Sequence, residues 1–82
     1  MRGETVIIHC FRGNPAVARV WEADKKVVYV LTREGFSRLQ ESGEGPIPAG
    51  FLRKDVFKYR TDLDDEVASG QIDWSKLEPW KG

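Results

Sequence analysis

A small antiparallel fold, mainly β or α+β, is predicted for this chain by three observations. The chain has 82 residues, enough for one domain with a thin core. Its first 60 residues contain several short runs rich in β-branched and aromatic residues, the composition typical of strands. The runs are separated by Gly, Pro, Asn and Asp, which favour turns.

Three of the four predicted strands lie within residues 5–32. Residues 5–11 form the first strand, and residues 17–22 and 27–32 form a hairpin. The connection Ala23-Asp24-Lys25-Lys26 lacks Asn-Gly or Asp-Gly, so a four-residue loop is expected instead of a tight turn. The predicted core of the hairpin consists of Val20, Val28 and Val30, and its solvent side includes Arg19 and Glu22.

A short helix and a closing strand follow the hairpin. Residues 32–41 predict one or two helical turns, with Thr32 as N-cap and Gly43 in the left-handed position after the helix. Residues 42–50 form a loop by composition, and the apolar pattern returns after it. Residues 55–59 supply the last predicted strand.

This order of elements resembles the SH3-like small-barrel superfamily over residues 4–60. Residues 50–57 look like the segment in which such barrels make a short helical turn before the final strand. The resemblance implies a small, partly open antiparallel barrel of four or five strands. The peptide-binding SH3 consensus is absent, because neither the Ala-Leu-Tyr-Asp-Tyr opening nor the paired Trp is present. The residues that bind proline-rich ligands in that family are therefore not carried over, and the fold leaves function open.

Charge divides the chain into a body, residues 1–60, and a tail, residues 61–82. The body carries eleven Lys and Arg against seven Asp and Glu, a net charge of +4. The tail carries two against six, a net charge of −4. Opposite charges favour contact between the two segments, so we expect the tail to pack on the body.

The sequence of the tail predicts two short helical segments. The tail also contains Trp74 and Trp80. Asp62 is the expected N-cap of the first segment, and Gly70 its end. Each tryptophan has about 150–250 Å² of mostly apolar surface, which favours burial. Either the tryptophans pack back on the body, or residues 73–80 form a linear recognition segment with tryptophan anchors.

The sequence argues against an enzyme, a cofactor and a metal site. His9 and Cys10 are neighbours on one strand, so their side chains point to opposite faces and do not pair as base and nucleophile. The four acids at 62, 64, 65 and 66 lack the Gly and the distal Glu of an EF-hand loop. A lone cysteine excludes an internal disulfide and, with no apolar run of membrane-spanning length, predicts a cytoplasmic protein without membrane contact.

Two functions remain as hypotheses. The first is a small non-enzymatic protein-interaction or accessory module, whose partner is another protein or a second copy of the chain. Its predicted surface consists of the aromatic residues Trp21, Tyr29, Phe51, Trp74 and Trp80. The alternative is a single-stranded nucleic-acid-binding barrel masked by its own tail, with basic residues interleaved among aromatic ones. Its predicted contacts are Arg19, Arg53, Lys54 and Lys58.

Overall fold

The computed structural model of the protein describes residues 2–10 and 13–82. The strands of these residues are β1 (Thr5–His9), β2 (Pro15–Ala23), β3 (Val27–Leu31), β4 (Ala49–Leu52) and β5 (Val56–Lys58). The helices are α1 (Arg33–Ser42) and α2 (Asp64–Ser69), with short 3₁₀ turns at Arg53–Asp55, Thr61–Leu63 and Trp74–Lys76. The five strands form one antiparallel sheet in the order β4-β3-β2-β1-β5. This confirms the predicted mainly β or α+β class.

The sheet is open, because β4 and β5 are its two edges and the sheet is not closed into a barrel. One face nevertheless buries residues of β1, β2, β3 and β5 in a single cluster. Val28 of β3 and Val56 of β5 are both fully buried in this cluster although two strands separate them, so the sheet must curl. The predicted core is confirmed, and the cluster contains Val6, Ile8, Ala18, Val20, Val28, Val30, Val56 and Trp80.

The opposite face is covered by α1 at one end and by the tail at the other. Phe36 of α1 is buried, with its ring 5.6 Å from that of Trp21. At the β1 and β5 end, Ile7 packs in a second cluster with Leu63 and Leu77 of the tail. Both faces of the sheet are therefore buried by elements of the same chain.

Helix α1 has the ends that the sequence predicts. The Thr32 hydroxyl accepts a hydrogen bond from the Gly35 backbone N–H at 3.0 Å, which satisfies a donor in the first turn. Gly43 follows the helix with φ of 74°, in the left-handed region. Its N–H donates to the Leu39 carbonyl, so both predicted caps are confirmed.

The β2–β3 hairpin is confirmed, but its connection is shorter than predicted. Ala23 already pairs with Val28, which leaves residues 24–26 between the strands. The Asp24 carboxylate accepts hydrogen bonds from the backbone N–H groups of Lys26 and Val27, each at 2.8 Å. This side chain therefore closes a tight turn, as aspartate side chains often do by bonding to the backbone two residues ahead.

Other local predictions differ from the structure at their boundaries. Strand β1 ends at His9, and the predicted strand end at Phe11 lies outside the described residues. The predicted strand over residues 55–59 is cut to β5 because a 3₁₀ turn occupies Arg53–Asp55. Asp62 is not a cap: it lies inside a 3₁₀ turn, and α2 begins at Asp64 with no side-chain cap.

Arg19 is not fully on the solvent side, contrary to the prediction. It is half-buried, and its guanidinium carbon lies 5.7 Å from the centre of the Phe36 ring. The prediction failed because it treated one face of the hairpin as exposed, whereas α1 covers part of it.

Candidate functional site

The tail pairs with β5 at one edge of the sheet. Lys58 N donates to the Glu78 carbonyl at 2.8 Å, and Trp80 N donates to the Val56 carbonyl at 3.1 Å. Phe57 and Pro79 form an antiparallel bridge between these two hydrogen bonds. Residues 78–80 thus cover the outer backbone groups of β5, which would otherwise form an unpaired edge.

Trp80 is a core residue and not an exposed anchor. Its side chain is 4% exposed and belongs to the same cluster as the valines of the sheet. Its Nε1 donates to Glu4 Oε2 at 2.6 Å, so the polar atom of the ring keeps a partner. As the chain is folded here, Trp80 has almost no surface to offer a protein partner.

The other aromatic residues of the predicted protein-binding surface are distributed over the molecule. Trp74 is half-buried in the tail, with its ring 4.3 Å from His9 and 5.2 Å from Phe57. Trp21 is half-buried beneath Arg2, whose guanidinium carbon lies 4.2 Å from the ring centre. Neither residue therefore projects as a free anchor.

Tyr29 and Phe51 do lie close together, on the neighbouring strands β3 and β4. Phe51 pairs with Val28 and Tyr29 pairs with Gly50. Phe51 is half-buried against the core cluster, whereas Tyr29 lies on the opposite face of the sheet. A Cβ built on Gly50 would come within 3.2 Å of the Tyr29 ring, so this ring leans over β4. The two residues fix β4 in place from both of its faces.

The four basic residues of the nucleic-acid hypothesis also fail to form one patch. Arg19 lies over Phe36, and its Nε is buried without a hydrogen-bond partner in the described residues. Lys58 is within 3.9 Å of Glu78, at an exposed site. Only Arg53 and Lys54 are neighbours.

A different basic group, the basic end, is formed around Arg53 by the register of the sheet. Arg53 N donates to the Lys26 carbonyl at 3.2 Å, and Arg53 Nε donates to the Asp24 carbonyl at 2.8 Å. The tip of the hairpin therefore lies against the 3₁₀ turn after β4. The basic end consists of Lys25, Lys26, Arg53 and Lys54, and all except Arg53 are exposed.

Asp24 lies within the basic end and offsets one of its four positive charges. Hydrogen bonds from the backbone N–H groups of Lys26 and Val27 hold the pKa of Asp24 below its ordinary value, and the charge of Arg53 adds to this effect. The carboxylate is thus engaged by the turn. In the described part of the chain, no side chain of the basic end forms an ion pair with a carboxylate.

Strand β4 presents an unpaired backbone, the open edge, next to the basic end. In an antiparallel pair, alternate residues direct both backbone groups to the partner strand. Leu52 pairs with Val27, so the next residues, Arg53 and Lys26, are opposite each other, and the Arg53 N–H donates to the Lys26 carbonyl. The residues that face β3 in the same way are therefore every second one before Arg53. Phe51 therefore faces β3, whereas Gly50 directs its N–H and C=O groups, and Leu52 its N–H, away from the sheet. Leu52 is the N-cap of the 3₁₀ turn Arg53–Asp55, so its C=O belongs to that turn. Within residues 2–10 and 13–82, no backbone hydrogen bond outside the regular helices and strands uses Gly50 or the N–H of Leu52.

Exposed apolar side chains accompany the open edge. Leu52 is 51% exposed, and Ile47, two residues before β4, is 91% exposed. Ala49 and Gly50 of β4 are small and Phe51 is half-buried, so a second backbone has room to approach. Sequence reasoning missed this site because the glycines and prolines around it indicate a loop.

His9 and Cys10 lie on opposite faces, as predicted. His9 contacts Trp74 of the tail, and its Nδ1 lies 3.7 Å from Asp55 Oδ1. Cys10 packs against the core cluster on the other face, and burial raises the pKa of its thiol. The two side chains are therefore separated by the sheet.

The described residues offer neither a metal site nor a membrane-spanning helix. They contain no group of three or more His, Cys, Asp or Glu side chains placed to hold a metal ion. They also contain no helix that is long and apolar enough to cross a bilayer. A shallow cleft of about 550 Å³ lies beside Trp80 and is lined by Glu4, Lys58, Glu78, Pro79, Trp80, Lys81 and Gly82.

Comparison of the chain with known protein families, with curated proteins and with solved structures found no match. The resemblance to the SH3-like superfamily therefore stays a prediction.

Proposed function

We propose that this chain is a small non-enzymatic protein-binding module that takes up an extended segment of another protein along the open edge. The observation that carries the proposal is the unpaired backbone of Gly50 and the unpaired N–H of Leu52, beside two exposed apolar side chains. Peptide recognition by strand addition uses such an edge, in which main-chain hydrogen bonds supply affinity and neighbouring side chains supply specificity.

The contrast between the two edges supports this proposal. Folded proteins protect the edges of their sheets, because unpaired strands pair readily with other chains. Here the tail covers β5 through Glu78 and Trp80, but β4 has no such cover among the described residues. An edge left open in a chain that closes the other one is the natural place for a partner.

The rigidity of β4 also supports binding at this edge. Phe51 packs into the core cluster on one face, and the Tyr29 ring leans over Gly50 on the other. A strand that is already ordered loses less conformational entropy when a partner binds. Tyr29 and Phe51, both predicted as binding residues, would thus act by positioning the strand.

Leu52→Pro is the variant that tests the proposal. Leu52 has φ of −64°, the angle that proline requires, and its N–H points away from the sheet. The variant should therefore remove one donor of the open edge and no hydrogen bond of the fold. We expect peptides selected from a random displayed library against the natural chain to bind Leu52→Pro at least tenfold more weakly, by fluorescence anisotropy.

Two further variants make this test specific. Leu52→Ala keeps the backbone donor and should lose less affinity than Leu52→Pro. Leu52→Glu adds a charge to the edge, and charged side chains protect edge strands against pairing with another strand. This variant replaces Leu52→Pro in the test if the proline variant does not fold. Peptide binding should also slow amide hydrogen exchange at Gly50 and Leu52. The proposal is contradicted if selection yields no binders, or if the selected peptides bind every Leu52 variant equally.

Single-stranded nucleic acid is a second candidate, and the basic end is the observation in its favour. Phosphate contacts by Lys and Arg make such binding fall steeply with added salt. Titration of a labelled single-stranded oligonucleotide at two salt concentrations tests it. A Kd that rises steeply with salt, and rises further in Lys54→Gln, supports this candidate. Absence of binding to the folded chain removes it.

A further inference from the structure

We infer that the segment bound at the open edge is acidic where it meets the basic end. This inference rests on the proposed function and specifies its partner: an extended segment that carries several Asp or Glu residues next to a run suited to a strand. The open edge and the basic end are neighbouring parts of the surface, so a segment bound at the first lies beside the charge of the second.

The geometry places the basic end in line with the open edge. Leu52, the last residue of β4, directly precedes Arg53 and Lys54. The hairpin tip joins them through the hydrogen bonds of Arg53 to the carbonyls of Asp24 and Lys26. A strand that pairs with Gly50 and Leu52 would run past these cations when it continues beyond β4.

The charge of the basic end is available to a ligand. Lys25, Lys26 and Lys54 are exposed, and in the described residues none of them forms an ion pair. The one carboxylate within the group, Asp24, is held by two backbone N–H groups of its own turn. The four cations and this one carboxylate leave the basic end a net charge of +3 (4 − 1), which acidic side chains of a partner would meet.

The surroundings of the basic end favour a peptide over a nucleic acid. Single-stranded nucleic acids are held by exposed aromatic rings beside basic residues. Trp80 lies 5.5 Å from the Arg53 guanidinium but is 4% exposed, and Phe51 is half-buried in the core. What is exposed there instead is Leu52 and an unpaired backbone, which suits a second strand.

The direction of the bound segment follows from the sheet. Every strand pair is antiparallel, and antiparallel pairs are the commoner kind in sheets of this type. A segment antiparallel to β4 begins beside Leu52 and the basic end and runs toward Ala49. Its acidic residues should therefore precede its strand-forming residues.

Three labelled peptides test the inference on the full chain. The first is Asp-Glu-Asp-Val-Thr-Val-Thr-Val, the second carries the same three acids after the Val-Thr run, and the third replaces the acids with lysines. An exposed charge pair changes affinity by a factor of about two to three, so three pairs together give about tenfold. We expect the first peptide to bind at least tenfold more tightly than the third at low salt, and more tightly than the second.

Protein variants identify the surface that reads the acids. Replacing Lys25, Lys26 and Lys54 together with Gln should abolish the preference for the first peptide and leave residual binding through the edge. A matched variant removes three exposed cations elsewhere in the chain, Arg33, Arg38 and Lys76, and should keep the preference. Leu52→Pro should weaken all three peptides.

The outcomes separate the inference from the proposed function. If none of the three peptides binds although the library selection yields peptides that Leu52→Pro weakens, the inference alone is overturned; if the selection yields no binders either, both are overturned. If all three bind equally and Leu52→Pro weakens them, the edge binds peptides and the inference alone is overturned. If the first peptide binds Leu52→Pro as well as the natural chain, the contact is electrostatic without strand addition, which also overturns the inference. If an oligonucleotide binds tightly and Leu52→Pro does not weaken it, the ligand is nucleic acid and the inference is overturned. If sedimentation shows a dimer that Leu52→Pro dissociates, the open edge binds a second copy of the chain, and the inference is again overturned.

Discussion

At the scale of the residue, Trp80 has the largest expected effect on stability. It lies 76 residues along the chain from Glu4, to which its Nε1 donates, and it fills the core between the valines of the sheet. Removing a buried tryptophan side chain costs about 3–5 kcal/mol, because its contacts are lost and a cavity remains. We expect Trp80→Ala to lower the free energy of unfolding by about this amount, measured by urea denaturation.

A neighbouring residue supplies the control for Trp80. Lys81→Ala changes an exposed side chain next in sequence and should alter the free energy of unfolding by less than about 0.5 kcal/mol. If Trp80→Ala proved as mild as Lys81→Ala, the tail would not be part of the core. The same result would make Trp80 available to a partner, as the sequence first suggests.

At the scale of the element, α1 offers a prediction that depends on its two caps. Thr32→Ala removes the acceptor for the Gly35 N–H and should cost about 1 kcal/mol of stability, while Thr32→Ser should restore most of it.

Gly43→Ala forces a side chain into the left-handed region at φ 74° and should cost about 1 kcal/mol. No atom lies within 4 Å of a Cβ built at Gly43, so the cost is conformational, and Gly43→Asn should be milder. Chemical denaturation of these four variants tests the prediction, and equal stability of Gly43→Ala and the natural chain would contradict it.

Elements whose signals are local could be predicted from the sequence, and contacts set by sheet register could not. The caps of α1 and the pairing of β2 with β3 depend on neighbouring residues, and both are confirmed. The sequence does not predict strand β4, because Ala49-Gly50-Phe51-Leu52 contains a glycine and follows prolines. This strand is stabilised by its pairing with β3 and not by the strand propensity of its own residues. The basic end joins Lys26 to Arg53, which are far apart in sequence, and only the register of β3 and β4 brings them together.

At the scale of the whole molecule, the division into body and tail describes charge but not stability. The tail contributes Leu63, Leu77 and Trp80 to the buried residues and closes the β5 edge. A domain of this size is stable by about 4–12 kcal/mol, so the loss of one buried tryptophan is already a large fraction. The acidic tail is therefore better understood as the last part of the fold than as a removable cover over a basic surface.

This view predicts the behaviour of a chain that ends after Leu77. Such a chain loses Trp80 from the core and the two backbone hydrogen bonds that cover β5, so it should be less stable than Trp80→Ala. In the shortened chain, β5 becomes a second unpaired edge. We expect the shortened chain to self-associate through β5, whereas the natural chain does not associate through that edge. A chain that ends after Trp80 keeps both hydrogen bonds and the buried ring and is the matched control. Thermal denaturation and sedimentation velocity of the two truncated chains measure both effects. A monomer with unchanged stability after removal of residues 78–82 would show that the tail is not an integral part of the fold.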